Sequence, residues 1–337
     1  MSGAAVRCAI VGLGEMGRLH AGCIGATPGA VLAACCDPDA RALEASPAGV
    51  YAFPTVEDAL AECDLDAVIV CTPPDRHLGP VRSALAAGVH VLCEKPLATS
   101  LADVDALACL DELHPGRLAV GHVRRFDPRF LALRAALDAG SLGRPLQLSG
   151  LIACPRADAD RLARSTTLAL ELAVHDVDAM RWLAGNVVRV YADAIDALPT
   201  PGPDAVVATL TFASGAVATV QYSWTMPDDA GIDFEFRFRI AGTGGVAEID
   251  GRDRGVTILT PDRAPLHPDT YSWPLLQGGG VGGALLAQDT HFLARVRDER
   301  SWPLTVADAR AAVLGALAID TSIASGLPVA VTDAEAT

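Results

Sequence analysis

The sequence predicts two domains, an α/β domain on a doubly wound parallel sheet and an α+β domain on an open antiparallel sheet. Three observations predict this. The chain has 337 residues, and one domain ordinarily takes about 100–200. Over the first third, continuous apolar runs alternate with amphipathic stretches, as strands buried on both faces alternate with covering helices. Beyond about residue 122 the pattern changes, and runs of strand character follow one another with only short turn signals between.

In the first part, 1–122, strands are expected at 6–11 (VRCAIV), 31–36 (VLAACC), 67–71 (AVIVC), 89–93 (VHVLC) and 117–120 (RLAV). Helices fall between them near 15–26, 39–46, 55–62, 76–87 and 100–113. In the second part, 123–337, a helix is expected near 128–140, with Pro128 in its first turn and Gly140 past its end. A strand follows at 146–153. A strong helix covers 168–184, closed by Gly185-Asn186. Strands are then expected at 187–195, 205–213, 216–225, 233–241, 245–250 and 255–260, with helices near 284–298 and 306–325. The glycine-rich stretch Gln277–Gly283 reads as a linker, with a lid as the alternative.

Composition excludes several classes. The net charge of −15 repels phosphate backbones, so neither nucleic acid nor an anionic membrane is an expected partner. No apolar run approaches the ~18 residues of a membrane span. The start, MSGAAVRCAIVGLG, shows no basic leader region or cleavage site, and the expected location is cytoplasmic. Nine cysteines include no CxxC pair; they read as free thiols in a reducing compartment, with neither disulfides nor a metal site expected.

The chain has a single lysine, Lys95, and takes its other basic charge from arginine. Because Pro96 follows it, Lys95 does not complete a phosphate-binding P-loop. The cofactor signal lies elsewhere, in Gly12-Leu13-Gly14-Glu15-Met16-Gly17. This GxGxxG follows a strand and opens a helix, the context that gives the motif its meaning: a tight turn, close backbone approach to a pyrophosphate, and close helix–strand packing. The domain is therefore a Rossmann domain. Asp37, 20 residues beyond Gly17, ends the second strand. An acid there accepts from ribose hydroxyls and repels a 2′-phosphate, which favours NAD over NADP. Arg41 lies one turn on, where it could instead accept that phosphate. Thr72, Pro73 and His77 leave the 67–71 strand in a stiff CTPPDRH loop, and Glu94-Lys95-Pro96 leaves the 89–93 strand. Both lie at the sheet edge where ligands of open α/β sheets bind. Glu94 could orient Lys95, touch the cofactor ribose, or form a strand-end ion pair. His77 could equally be a plain helix-start residue.

On the 168–184 helix, Glu171 and His175 are i and i+4, and Asp178 is three further on. A histidine flanked by carboxylates suits a general base, and a solvated surface cluster is the alternative. Leu172, Val174, Val177, Met180 and Leu183 form the opposite, core-facing stripe.

Taken together, GLGEMG, CTPPDRH, EKP, RRFDP at 124–128 and the Glu171…His175-Asp-x-Asp helix resemble the glucose-fructose oxidoreductase/inositol dehydrogenase/MocA family over essentially the whole chain. The resemblance is closest to inositol 2-dehydrogenases. It implies a C-terminal domain with a large, mostly antiparallel sheet that packs against another subunit, giving a homodimer or homotetramer. It also implies hydride transfer between a nicotinamide cofactor and a secondary hydroxyl of a cyclitol or sugar. Lys95 matches the family lysine and His175 the proton-transfer histidine, with Glu171 beside it. Arg125 and Asp178 match positions that contact substrate hydroxyls, and His122 and Arg156 are further substrate-side candidates. Three departures stand out: Glu171 replaces the usual Asp, Phe234 replaces a Tyr, and an Asn expected near Arg156 is missing. Two other classes remain open, a hydrolase or epimerase that uses retained NAD internally and a non-catalytic dinucleotide sensor.

Overall fold

A computed structural model describes residues 5–162, 165–199, 202–229, 234–251, 258–260, 263–266, 280–298 and 300–332. The chain divides into two compact units, Met1–Asp127 with Asp269–Arg310, and Pro128–Pro268 with Ala311–Thr337. The first unit thus also takes in residues 269–310, from beyond the boundary expected near residue 122.

The first unit carries a parallel sheet of β1 (Val6–Val11), β2 (Ala30–Cys36), β3 (Tyr51–Phe53), β4 (Ala67–Val70), β5 (His90–Glu94) and β6 (Leu118–Gly121) in the order β3-β2-β1-β4-β5-β6. That order is the dinucleotide-binding arrangement, with its reversal point between β1 and β4. The connecting helices are α1 (Glu15–Ala26), α2 (Ala40–Leu43), α3 (Val56–Glu62), α4 (Leu78–Ala86) and α5 (Leu101–Leu113). Local chemistry starts two of them. Thr55 accepts the Asp58 N–H ahead of α3, and Ser100 accepts the Asp103 N–H ahead of α5, each satisfying an otherwise orphaned donor. Central strands are fully buried: Ile10, Ile69 and Leu92 share one core with Ile24 of α1. Two residues of a late helix, Phe292 and Leu293, belong to the same core. They explain why that segment joins this unit. Trp302 reinforces it by donating from Nε1 to the Val120 carbonyl at 3.2 Å and packing at a tilt against Phe126, with ring centroids 4.9 Å apart.

The second unit begins with α6 (Pro128–Asp138), β7 (Pro145–Pro155) and α7 (Arg156–Leu162). A π-helical turn at Ala169–Ala173 leads into α8 (Val174–Ala184). Strands β8 (Val187–Ile195), β9 (Ala205–Phe212), β10 (Val217–Met226), β11 (Glu235–Gly242) and β12 (Val246–Asp250) follow. A separate hairpin pairs β13 (Ile258–Thr260) with β14 (Arg263–Leu266). After α9 (Gly283–Asp298) in the first unit and α10 (Val306–Ser325), β15 (Val329–Ala330) pairs with β8. The seven-stranded sheet has the order β12-β11-β7-β10-β9-β8-β15. It is mostly antiparallel, as expected, with β7 and β10 running parallel at its centre. One face is apolar, with Trp224, Tyr222 and Phe238 buried. Phe130 of α6 meets Phe238 edge-on at 5.0 Å. The strand expected at 255–260 is described only at Ile258–Thr260, and residues 277–279 of the expected linker lie outside the described residues.

Candidate functional site

The ends of β1, β2, β4 and β5 share one edge of the parallel sheet, and the predicted dinucleotide residues line it. Gly12 has φ +93°, and a Cβ there would lie 2.7 Å from the Cys71 carbonyl; both facts demand glycine. A Cβ on Gly17 would fall on the Gly12 carbonyl, so this glycine sets how closely α1 packs on β1. Gly14 is different. Nothing lies within 4 Å of its would-be Cβ, and α1 begins there with no side-chain cap. Glu15 and Met16 complete the first turn, whose N–H groups suit an anion. Leu13 is buried, and its N–H donates to Asp37 Oδ2 at 2.8 Å. Arg41 is exposed on α2. Thr72 Oγ1 is buried and has no hydrogen-bond partner, while Pro73 is exposed beside it. An open glycine cradle, an uncapped helix start, an acid at the end of β2 and an orphaned hydroxyl at the end of β4 together fit a dinucleotide.

His77 is 1 % exposed, with Nδ1 3.1 Å from the Leu97 carbonyl and Nε2 3.0 Å from the Thr72 carbonyl. Burial holds its pKa below the ordinary histidine value. The ring braces the CTPPDRH loop against the segment after Pro96. Glu94 is 6 % exposed, and both its oxygens are engaged inside the unit. Oε2 accepts the Lys95 N–H at 3.0 Å, and Oε1 lies 3.1 Å from His20 Nε2. Lys95 itself is half-buried and joined to Pro96 by a cis peptide bond.

Two residues of this site were missed in the sequence, His20 on α1 and Asp289 on α9. Both are fully buried, and His20 Nδ1 lies 2.7 Å from Asp289 Oδ2. Burial disfavours a charged imidazole, but Asp289 and the Cys71 thiol facing the ring outweigh it and raise the His20 pKa well above the usual value. Burial also disfavours the Glu94 carboxylate; its bond to His20 more than offsets this and lowers its pKa. The sequence held one clue. On α1 the buried stripe is Gly17, His20, Cys23 and Ile24, and a histidine in such a stripe requires polar partners.

In the second unit, Glu171 and His175 are half-buried while every other residue from 168 to 180 is buried. The two side chains therefore share the open side of this segment. Glu171 lies in the π turn rather than in the continuous α-helix expected. Such one-turn bulges recur at functional sites. Asp178 and Asp176 are fully buried, which takes Asp178 off the open face assigned to it. The Asp176 carboxylate lies over Gly150 of β7, where a Cβ would come 2.5 Å from Oδ2. Arg156 is exposed at the start of α7, and Phe234 is half-buried just before β11. In the first unit, Arg125 and His122 are buried at and beside a 3₁₀ turn, Val123–Phe126. Among the described residues there is no cluster of three or more His, Cys, Asp or Glu side chains able to hold a metal, and no helix is long and apolar enough to cross a membrane.

This strand order, with this cradle, defines a dinucleotide-binding fold. The chain belongs to the GFO/IDH/MocA oxidoreductase family: residues 6–122 match its NAD-binding Rossmann fold and residues 130–248 its C-terminal domain. An inositol 2-dehydrogenase of Rhizobium meliloti is 34% identical over 280 residues, 78% of this chain and 82% of that protein. Inositol 2-dehydrogenase 4 of Saccharopolyspora erythraea is 31% identical, covering 84% and 89%. The crystal structure of apo scyllo-inositol dehydrogenase from Lactobacillus casei superposes with a TM-score of 0.85 at 21% identity, over 98% and 99% of the two chains.

Proposed function

We propose that this protein is an NAD-dependent dehydrogenase that oxidises a secondary hydroxyl of a cyclitol or sugar-like polyol, or reduces the corresponding ketone. One observation carries the reading. The chain's only lysine stands at the carboxyl end of β5, its backbone held by Glu94, on the sheet edge that bears the glycine cradle. The names of the inositol 2-dehydrogenase relatives support the substrate class. Asp37 favours NAD over NADP.

The glycine cradle and Asp37 would hold NAD, which would supply a hydride acceptor. His175 takes the hydroxyl proton, and the Lys95 ammonium donates to the oxygen as it gains alkoxide character. Glu171 holds the histidine or a second hydroxyl, and Arg125 binds a further hydroxyl. General base help of this kind is worth roughly 10²–10⁴ in rate. The free thiols support a cytoplasmic setting. The second sheet, whose uncovered side bears Val207 and Val217, supports assembly as a homodimer or homotetramer.

The test is absorbance at 340 nm with NAD or NADP and a panel of inositols, aminocyclitols and sugars. Reduced cofactor with one polyol is the expected result, reduced by orders of magnitude in Lys95→Met with NAD affinity retained. Wild-type turnover in Lys95→Met would sink the assignment of that residue. Silence across the panel despite NAD binding would sink the dehydrogenase reading.

A further inference from the structure

A line of buried ionisable groups runs through the first unit and is not part of the chemistry proposed above. His20 of α1 stands between Asp289 Oδ2 of α9, at 2.7 Å, and Glu94 Oε1 of β5, at 3.1 Å. Glu94 Oε2 then accepts the Lys95 backbone N–H at 3.0 Å. His20 and Asp289 are 0 % exposed and Glu94 6 %. The Cys71 thiol also faces the His20 ring, and Lys95, His77 and the Cys93 thiol lie close to Glu94. Gly121 makes room for the carboxylate, since a Cβ there would lie 2.9 Å from Glu94 Oε1.

Desolvating several ionisable groups costs several kcal/mol per ion. Apolar side chains of the same volume would stabilise this core at least as well. The line also has a direction, because it ends on the backbone of the chain's only lysine. We propose that His20 and Asp289 are positioning residues for Lys95. Asp289 orients the His20 ring, His20 donates both ring N–H groups to the two carboxylates, and Glu94, so fixed, holds the Lys95 backbone at the lip of the dinucleotide cradle. A carboxylate that orients a histidine, which in turn orients the working group, is an established division of labour in enzyme sites. The raised His20 pKa and lowered Glu94 pKa agree with an ionised pair, while burial raises the Asp289 pKa against the pull of His20. This inference rests on the reading of Lys95 as the group that meets the substrate oxygen.

The test combines Asp289→Asn, Lys95→Met and their double variant with exchange of the Lys95 amide hydrogen in the protein without substrate. Asp289→Asn keeps the side-chain volume and removes the charge. It should lower kcat between about 10- and 100-fold, as a displaced catalytic group does, with KM for the cofactor unchanged. That factor should vanish in the Lys95→Met background, and the Lys95 amide should exchange faster in Asp289→Asn. If the factor survives undiminished in that background, or the amide is as protected as before, the positioning role is overturned. If Lys95→Met alone keeps full turnover, the reading of Lys95 has failed, and the amide measurement still decides whether Asp289 fixes that backbone. Should Asp289→Asn fail to fold, ¹⁵N signals of the His20 ring in the wild-type protein decide. Two protonated nitrogens near neutral pH agree with the proposal; one bare nitrogen overturns it.

Discussion

Asp37 Oδ2 accepts the backbone N–H of Leu13 at 2.8 Å. The acid that ends β2 thereby ties down the glycine loop that ends β1, across 24 residues of sequence. Its other oxygen accepts the Asp39 N–H at 2.9 Å. A carboxylate offers about four lone-pair sites, so acceptor capacity remains for ribose hydroxyls. Loop geometry thus depends on the same side chain that is proposed to choose the cofactor.

Asp37→Ser should therefore do two things. Loss of charge-assisted bonds worth about 1.5–3 kcal/mol each should weaken NAD binding about 10-fold or more. Removing the negative charge should also narrow the preference over NADP. Calorimetric titration with both nucleotides measures this directly. An unchanged ratio of the two affinities would mean that Asp37 does not select the cofactor.

The glycines of the cradle should separate by mutation. Gly14→Ala meets no atom within 4 Å, so the protein should keep its melting temperature while losing dinucleotide affinity. In Gly17→Ala the new methyl falls on the Gly12 carbonyl. Overpacking of this kind costs typically 1–3 kcal/mol, so the melting temperature should drop as well. Paired thermal melts and NAD titrations distinguish the two. Retained NAD affinity in Gly14→Ala would refute its place against the pyrophosphate.

Much of the first unit was legible because its signals are local. Continuous apolar runs and the amphipathic stretches between them place β1, β2, α3 and α5 to within a residue or two. What escaped was set by distant contacts or by exposure. β3 is three residues long with Tyr51 64 % exposed, too short and too wet for a periodic signal. The parallel β7–β10 pairing leaves no mark in either strand, since burial alternates the same way in both orientations. The apolar face of α9 says that it packs, but not that Phe292 and Leu293 pack into the first core. His20 and Asp289 lie 269 residues apart, so neither announces the other. The open side shared by Glu171 and His175 was read correctly from their spacing, yet the π turn beneath Glu171 was not.

His77 and His20 should bend the pH dependence of stability in opposite directions. Burial lowers the His77 pKa in the folded state from 6.5. The unfolded chain then binds more protons, so this contribution is present above about 6.5 and lost as pH falls below it. His20 is raised, so its contribution is present below about 6.5 and lost as pH climbs toward its folded value. His77→Gln should remove part of the acid-side loss. Denaturant midpoints across pH for wild type and variant test this, and parallel curves would show that His77 is not held neutral.

Glu171 offers the sharpest probe of the second unit. It is half-buried beside half-buried His175, on a segment whose other residues from 168 to 180 are buried. Shortening it to Asp removes one methylene and draws the carboxylate back by about an ångström, a displacement able to cost up to about 100-fold when a positioned group is involved. The protein should keep its stability, since partly exposed substitutions usually fall within about 0.5 kcal/mol. Glu171→Asp should accordingly lose kcat/KM on the native polyol with no change in melting temperature. The π turn at Ala169–Ala173 belongs to this expectation, because the longer side chain and the wider turn place the carboxylate together. A faster Glu171→Asp enzyme would show that the carboxylate is not set for catalysis in this chain. An unchanged one would assign Glu171 to the solvated surface.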